Sequence, residues 1–228
     1  AITLLQRLRR RLQNPDFLSR HRRHPKAFTR NRVLTFSVVA LFILQKSVKS
    51  LQLHLREFLA QCHDAQPTAT VGPGAFTRAR AKLRHSAYIE LNEGALLPAV
   101  YRHGGDFDLR RWRGHRVLGI DSSLIRLPAT AHLAAVFGQV ECANQRGTGS
   151  VKYPQARISI LYDVLNRIGW DARLDPYATG EIELARQHLV RARKADLILC
   201  DRGYAGLFWF ILLHSLDLQF VVRCEKSS

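Results

Sequence analysis

The sequence predicts an α/β protein: an N-terminal α-helical domain over residues 1–110, then an α/β core over 116–228. Three observations predict it. Apolar residues recur at helical spacing through much of the first hundred positions. After residue 116 the pattern changes to short apolar runs of the kind that form buried strands. Charge follows the same division: residues 1–34 hold ten basic side chains and one acid, Asp16, whereas 116–228 hold fourteen basic and eleven acidic.

Composition excludes several classes. At 228 residues, 46% hydrophobic and 23% charged, the chain is neither mainly disordered nor collagen-like. A chain this long buries a core without disulfides or a structural metal. The net charge of +17 asks for a densely anionic partner, for which nucleic acid is the natural reading and an anionic membrane the rival. Cys62, Cys142, Cys200 and Cys224 lack paired spacing and read as reduced thiols. With no signal peptide, that points to the cytoplasm. The longest apolar run, Val33–Leu44, is too short to span a bilayer and reads as a buried helix. The chain starts at Ala1, contains no methionine and stops after a strand-like run, so both ends read as cuts in a longer frame.

Taken in order, residues 33–60 look helical: Leu51, Leu55, Phe58 and Leu59 share a face, as do Leu41, Leu44 and Val48 before them. A loop rich in Pro and Gly follows to Gly74. The next helix is Ala75–His85, with Phe76, Ala79 and Leu83 on one face. Arg78/Lys82 and Arg80/Arg84 form flanking stripes, which suits a helix packed on a bundle and lying against a phosphate backbone; an exposed basic face is the plainer alternative. Residues 86–100 make a further helix ending near Pro98, and 103–115 read as a linker. Arg116–Ile120 is a buried strand ending in Asp121, followed by a long polar stretch, about 128–154. Ala156–Val164 and Trp170–Tyr177 form a hairpin about Asn166–Gly169. Gly180–Lys194 is a helix with acids at its start and bases at its end, matching its dipole. Leu197–Cys200 is a strand ending in Asp201, Ala205–Leu216 an apolar helix and Leu218–Val222 the last strand.

Asp121 and Asp201 thus close two buried strands. If those strands are neighbours, the carboxylates converge, and converging carboxylates repel unless a cation lies between them. Mg²⁺ prefers such oxygen ligands, and a metal pair can clamp the attacking and leaving oxygens of a phosphoryl transfer. Turn or cap roles for Asp121-Ser-Ser and Asp201-Arg-Gly-Tyr remain open from spacing alone. A hydrolase grouping of Asp121, His115 and Ser122 lacks a nucleophile-elbow pattern.

Four segments carry a resemblance. Ile198-Leu-Cys-Asp-Arg-Gly-Tyr204, with the helix and strand after it, resembles the second catalytic region of the insertion sequence 4 family of bacterial DDE transposases. Val117-Leu-Gly-Ile-Asp-Ser-Ser123 resembles the first catalytic region, Ala75-Phe-Thr-Arg-Ala-Arg-Ala-Lys-Leu83 the N-terminal conserved helix, and Phe28-Thr-Arg-Asn-Arg-Val-Leu34 the N-terminal entry. The likeness implies a ribonuclease H-like mixed-sheet core. Asp121 and Asp201 would be two members of a catalytic triad binding two Mg²⁺ or Mn²⁺ ions. One ion would activate water or a DNA 3′-hydroxyl, and the other would stabilise the leaving oxygen. The implied reactions are cleavage at transposon ends and strand transfer into target DNA, in the bacterial cytoplasm near the nucleoid, with a synaptic homodimer and no membrane. Arg30, Arg32, Arg78, Arg80, Lys82, Arg84, Lys152 and Arg202 are the candidate DNA contacts, and Tyr204 supports the motif. Arg157 borders the same sheet.

One departure is clear. The family's third acid, a glutamate in a Tyr-Arg-Glu-Lys signature on a later helix, has no counterpart after Asp201, and Glu225 abuts a strand end. The expectation is a truncated transposase that binds DNA and cleaves poorly. The rivals are a DNA-binding fragment whose aspartates are structural and a metal-dependent nuclease unrelated to transposition.

Overall fold

The computed structural model describes residues 2–30, 33–62, 71–102, 107–143 and 149–224. The chain divides into two compact units, Ala1–Asp108 and Leu109–Ser228.

The first unit is helical. Helices α1 (Ile2–Gln13) and α2 (Pro15–His21) meet at Asn14, whose side chain accepts from the Asp16 and Phe17 amides at 2.7 and 3.1 Å, with Pro15 opening the second helix. Next come α3 (Phe36–Leu44), capped by Thr35, and α4 (Leu51–Cys62). The helix expected over 33–60 is therefore two. Gln45 turns extended at φ −81°, ψ 134° and ends α3. The break also redirects its apolar face. Phe36, Val39, Ala40 and Phe42 are buried, while Leu41, Leu44 and Val48 are exposed.

Helix α5 (Pro73–Arg80) ends five residues earlier than the periodicity predicts. The chain after it pairs with the end of α2 instead: the Arg23 amide donates to the Lys82 carbonyl and the Arg84 amide to the His21 carbonyl, both at 2.8 Å. Phe76, Ala79 and Leu83 are buried as their spacing suggests, but Lys82 and Arg84 project from this bridging segment rather than from a helix. Then α6 (Ser86–Leu91) runs through a π turn at Asn92–Leu96 into α7 (Leu97–Val100), past Pro98. Proline is tolerated there because it falls in the first turn of α7. The core is a run of edge-on aromatics, Phe17–Phe36, Phe42–Phe58 and Phe42–Phe76, with centroids 5.9, 5.3 and 4.7 Å apart. Glu90 ties α6 back to the N-terminal helices through Arg11, Arg20 and His21.

The second unit is a six-stranded mixed sheet. Its elements are β1 (Val117–Arg126), α8 (Ala131–Phe137), β2 (Gln139–Ala143), β3 (Ser150–Asp163), β4 (Ile168–Pro176), α9 (Glu181–His188), β5 (Leu197–Cys200), α10 (Leu207–Ser215) and β6 (Gln219–Val222). The polar stretch expected over 128–154 thus carries α8, β2 and the start of β3. Spatial order is β2-β3-β1-β5-β6, with β4 also on β3. The β1/β3 and β3/β4 pairs are antiparallel, and β1/β5 and β5/β6 are parallel. An antiparallel meander followed by two parallel crossover strands is a ribonuclease H-like sheet.

One face of this sheet is covered by α9 and α10. Leu118, Ile120, Leu161, Ile198 and Cys200 are buried there with Leu184, Ala185, Trp209 and Leu213. Arg116, just before β1, forms a buried ion pair with Asp196, just before β5, at 3.0 and 2.5 Å, and its guanidinium lies 4.0 Å from the centroid of the Trp170 ring. No helix of the described residues is long and apolar enough to cross a membrane.

Candidate metal centre and nucleic-acid surface

Asp121 does not end β1, as the apolar run had suggested. The strand continues to Arg126 because β3 is long enough to pair with it throughout. Only the parallel partner stops: β5 ends at Cys200, opposite Ile120. The next residue on each strand is an aspartate, and Asp201 keeps an extended backbone, φ −76°, ψ 175°. Residues in parallel register point the same way, so with extended backbone continuing past Cys200, Asp121 and Asp201 each follow directly on the last paired residues, Ile120 and Cys200, and alternate to the face opposite them.

Both side chains are exposed. The Asp121 carboxylate accepts from the Ser122 amide at 2.8 Å, and Asp201 lies 3.9 Å from Arg223. Their face of the sheet is open, with Ile160, Tyr162, Leu174 and Val221 from 38% to 55% exposed. Among the described residues, no third His, Cys, Asp or Glu joins the pair in a metal-sized group. Glu225 lies outside the described residues. Two exposed hard-oxygen donors, which among the described residues have no ion-pair partner for Asp121 and one long contact for Asp201, fit a divalent ion such as Mg²⁺ or Mn²⁺.

The opposite face holds the backbone of Asp121 in place. The Ser159 hydroxyl donates to the Asp121 carbonyl at 3.3 Å. Ser159 Oγ is 3.1 Å from His188 Nε2, and His188 Nδ1 is 2.9 Å from Asp171 Oδ2, which also accepts from Arg173 at 2.9 Å. Burial alone would raise the Asp171 carboxyl, but hydrogen bonds from His188 and Arg173 outweigh it and hold the group below its ordinary value. These three residues have the connectivity of a Ser-His-Asp hydrolase triad. However, Ser159 and His188 are fully buried, so no substrate reaches the hydroxyl. Sequence offers no sign of this chain of contacts, because its members come from β3, β4 and α9.

A second group braces the same strand tip. Arg157 donates to Glu181 at 2.5 Å and to Ser122 Oγ at 3.2 Å, so its charge is committed within the fold. Tyr204 of the Asp-Arg-Gly-Tyr segment is buried, and that burial, with Glu181 and Asp121 nearby, pushes its phenol up to about 12. It packs beneath the tip. Burial likewise pushes the Cys200 thiol up to about 12.

The remaining candidates fall elsewhere. Arg202 is exposed in the turn after Asp201. Lys152 lies on β3 opposite Glu141, 3.6 Å from its carboxylate, and eight residues along the strand from Ile160, the partner of Asp121, or roughly 26 Å. In the first unit Arg30, Arg78, Arg80, Lys82 and Arg84 are exposed. Arg30, Arg78 and Lys82 border one continuous groove; Arg80 and Arg84 do not. Arg32 lies outside the described residues. Of the N-terminal arginines, Arg11 and Arg20 are engaged with Glu90.

No family model matches the sequence, and no curated protein matches it. Solved structures with loose likeness include a piggyBac transposase synaptic complex with hairpin DNA, at 14% identity and TM-score 0.35, over 50% of this chain and 24% of that one. A Mos1 transposase paired-end complex with left transposon end matches at 15% identity and TM-score 0.29, over 77% and 60%. A Mos1 mariner paired-end complex with Mn matches at 13% and 0.28, over 96% and 67%. The chain therefore spans a quarter of the piggyBac chain and three fifths of the first Mos1 chain. The fold assignment rests on the strand order, which these likenesses accompany.

Proposed function

We propose that this chain belongs to a DDE transposase of the insertion sequence 4 type, with Asp121 and Asp201 as two carboxylate ligands of a divalent metal and the first unit as a DNA-binding domain. The observation that carries the reading is the β1/β5 register, which sets both aspartates on one face with their oxygens in solvent. A structural carboxylate would be paired; among the described residues these have one backbone amide and one long arginine contact between them. Bound Mg²⁺ or Mn²⁺ supplies a Lewis acid for phosphodiester cleavage and strand transfer. The protein's own part is positional. Ser159, backed by His188, holds the carbonyl of Asp121, and Arg157 holds Ser122 beside it.

Two carboxylates hold such an ion weakly. The chain alone then binds DNA and cleaves it poorly. Transposon ends and target are the proposed DNA partners, paired in the proposal by two copies of the chain; the piggyBac and Mos1 structures are a synaptic and a paired-end complex of those proteins. The cytoplasm is the proposed location.

The test is Mn²⁺ binding followed by electron paramagnetic resonance, alongside nicking of transposon-end DNA with Mg²⁺. Expected are weak Mn²⁺ binding lost in Asp121→Ala and Asp201→Ala, and little nicking. Mn²⁺ binding unchanged by both substitutions would remove the metal-site reading. Robust nicking abolished by Asp201→Ala would show the site complete as it stands.

A further inference from the structure

The first unit contains a two-lobed groove between residues 26–30 and 33–34 on one side and α5 on the other, its lobes sharing Leu34, Ala79 and Lys82. Its polar lobe, about 310 Å³, is lined by Lys26, Phe28, Thr29 and Arg30 with Leu34, Ala79 and Lys82. Its apolar lobe, about 530 Å³, is lined by Val33, Val71, Ala75 and Arg78 with the same Leu34, Ala79 and Lys82. Lys82 therefore stands at the junction. Among the described residues the lining contains four cations, Lys26, Arg30, Arg78 and Lys82, and no acid, in a unit with eighteen basic and seven acidic residues.

We infer that this groove binds one nucleotide of a DNA strand whose base is unpaired. Paired bases keep their faces stacked inside the duplex, and a duplex presents phosphates and polar groove edges that an apolar lobe cannot satisfy. An unpaired base offers its flat face, which apolar and aromatic walls accept irrespective of sequence. Its phosphates meet the cations of the polar lobe and junction, with the Thr29 hydroxyl beside them. The polar wall is a constrained one: Phe28 is held at φ +57°, unusual for a bulky residue, with its ring edge-on to Phe36 at 5.5 Å. Charge complementarity favours a polyanion over an apolar peptide as occupant.

The inference rests on the DNA-binding reading above and fails separately from it. The full chain is titrated with a short duplex and with the same duplex carrying one unpaired 2-aminopurine, read by anisotropy and by the probe's own fluorescence. Expected is about tenfold tighter binding of the unpaired substrate, with a change in probe emission. Ala75→Leu fills the apolar lobe without changing charge, and should abolish that preference while leaving duplex affinity intact. Val71→Phe, at a second lining position of the same lobe, serves if circular dichroism shows the first variant unfolded. Arg78→Ala with Lys82→Ala should weaken both substrates and reduce the log–log salt slope by up to about two. Equal affinity for both DNAs, or a preference that survives both filling variants, overturns the inference and leaves DNA binding standing. Failure to bind either DNA overturns the DNA reading itself. Self-association lost on Ala75→Leu, without any base preference, would assign the groove to a second copy of the chain and overturn the inference.

Discussion

Removing Asp196 should unfold the second unit preferentially. Arg116 and Asp196 are 5% and 7% exposed at their side chains and meet through two hydrogen bonds, at 3.0 and 2.5 Å. Asp196 Oδ2 also accepts from the Arg193 amide at 2.7 Å. Asp196→Ala takes the carboxylate from a guanidinium buried against Trp170, and removing one member of a buried ion pair costs about 3–5 kcal/mol. Replacing both members, as Arg116→Met with Asp196→Leu, removes the ion pair as a whole, and such exchanges are often neutral, so most of the loss should return. The assay is denaturant unfolding followed by tryptophan fluorescence. All three tryptophans, Trp112, Trp170 and Trp209, lie in the second unit, so the signal reports that unit alone. A loss below about 1 kcal/mol in the single variant, the range of an exposed pair, would refute the reasoning. So would a double variant as unstable as the single one.

Two further outcomes follow from the buried groups. Asp171 is held below its ordinary value in the folded chain, so its contribution is present above the unfolded carboxylate range, near 4, and is lost as pH falls through the folded value. Asp171→Asn should cost about 1–3 kcal/mol at neutral pH and flatten the acid limb of stability below about pH 4. An unchanged acid limb would count against the His188–Asp171 contact. The raised Cys200 thiol is buried and stays protonated at mildly alkaline pH, whereas Cys62, Cys142 and Cys224 are exposed. Thiol titration at pH 8 should show three reactive groups in the native chain and the fourth only after denaturation; four fast groups would contradict the burial of β5.

The sequence shows most clearly the elements whose burial is complete. Leu197–Cys200 and the helix after it are apolar without interruption, and β5 and α10 fall there. β1 was legible only to Asp121. Beyond it, Ser122-Ser-Leu-Ile-Arg is half exposed and carries little apolar signal, and the strand persists because β3 supplies a partner to every residue. The end of α5 at Arg80 has the same kind of cause. The periodicity continues through Leu83, but backbone bonds from Arg23 and Arg84 to a distant segment replace the helical ones.

On its own, the amino-acid order determined that the chain carries +17, that its positive charge crowds the N-terminal end, and that two aspartates follow short apolar runs. These are properties of composition and local period, which need no partner. Only the tertiary structure decided that β5 lies parallel to β1 in a register that pairs Ile120 with Cys200, the residues just before those aspartates. It also decided that Ser159, Asp171 and His188 converge behind Asp121, and that Arg30, Arg78 and Lys82 border one groove while Arg80 and Arg84 do not. Each depends on which strand or segment pairs with which. That choice is made by the burial of whole faces and the pairing of backbone groups far apart in the chain.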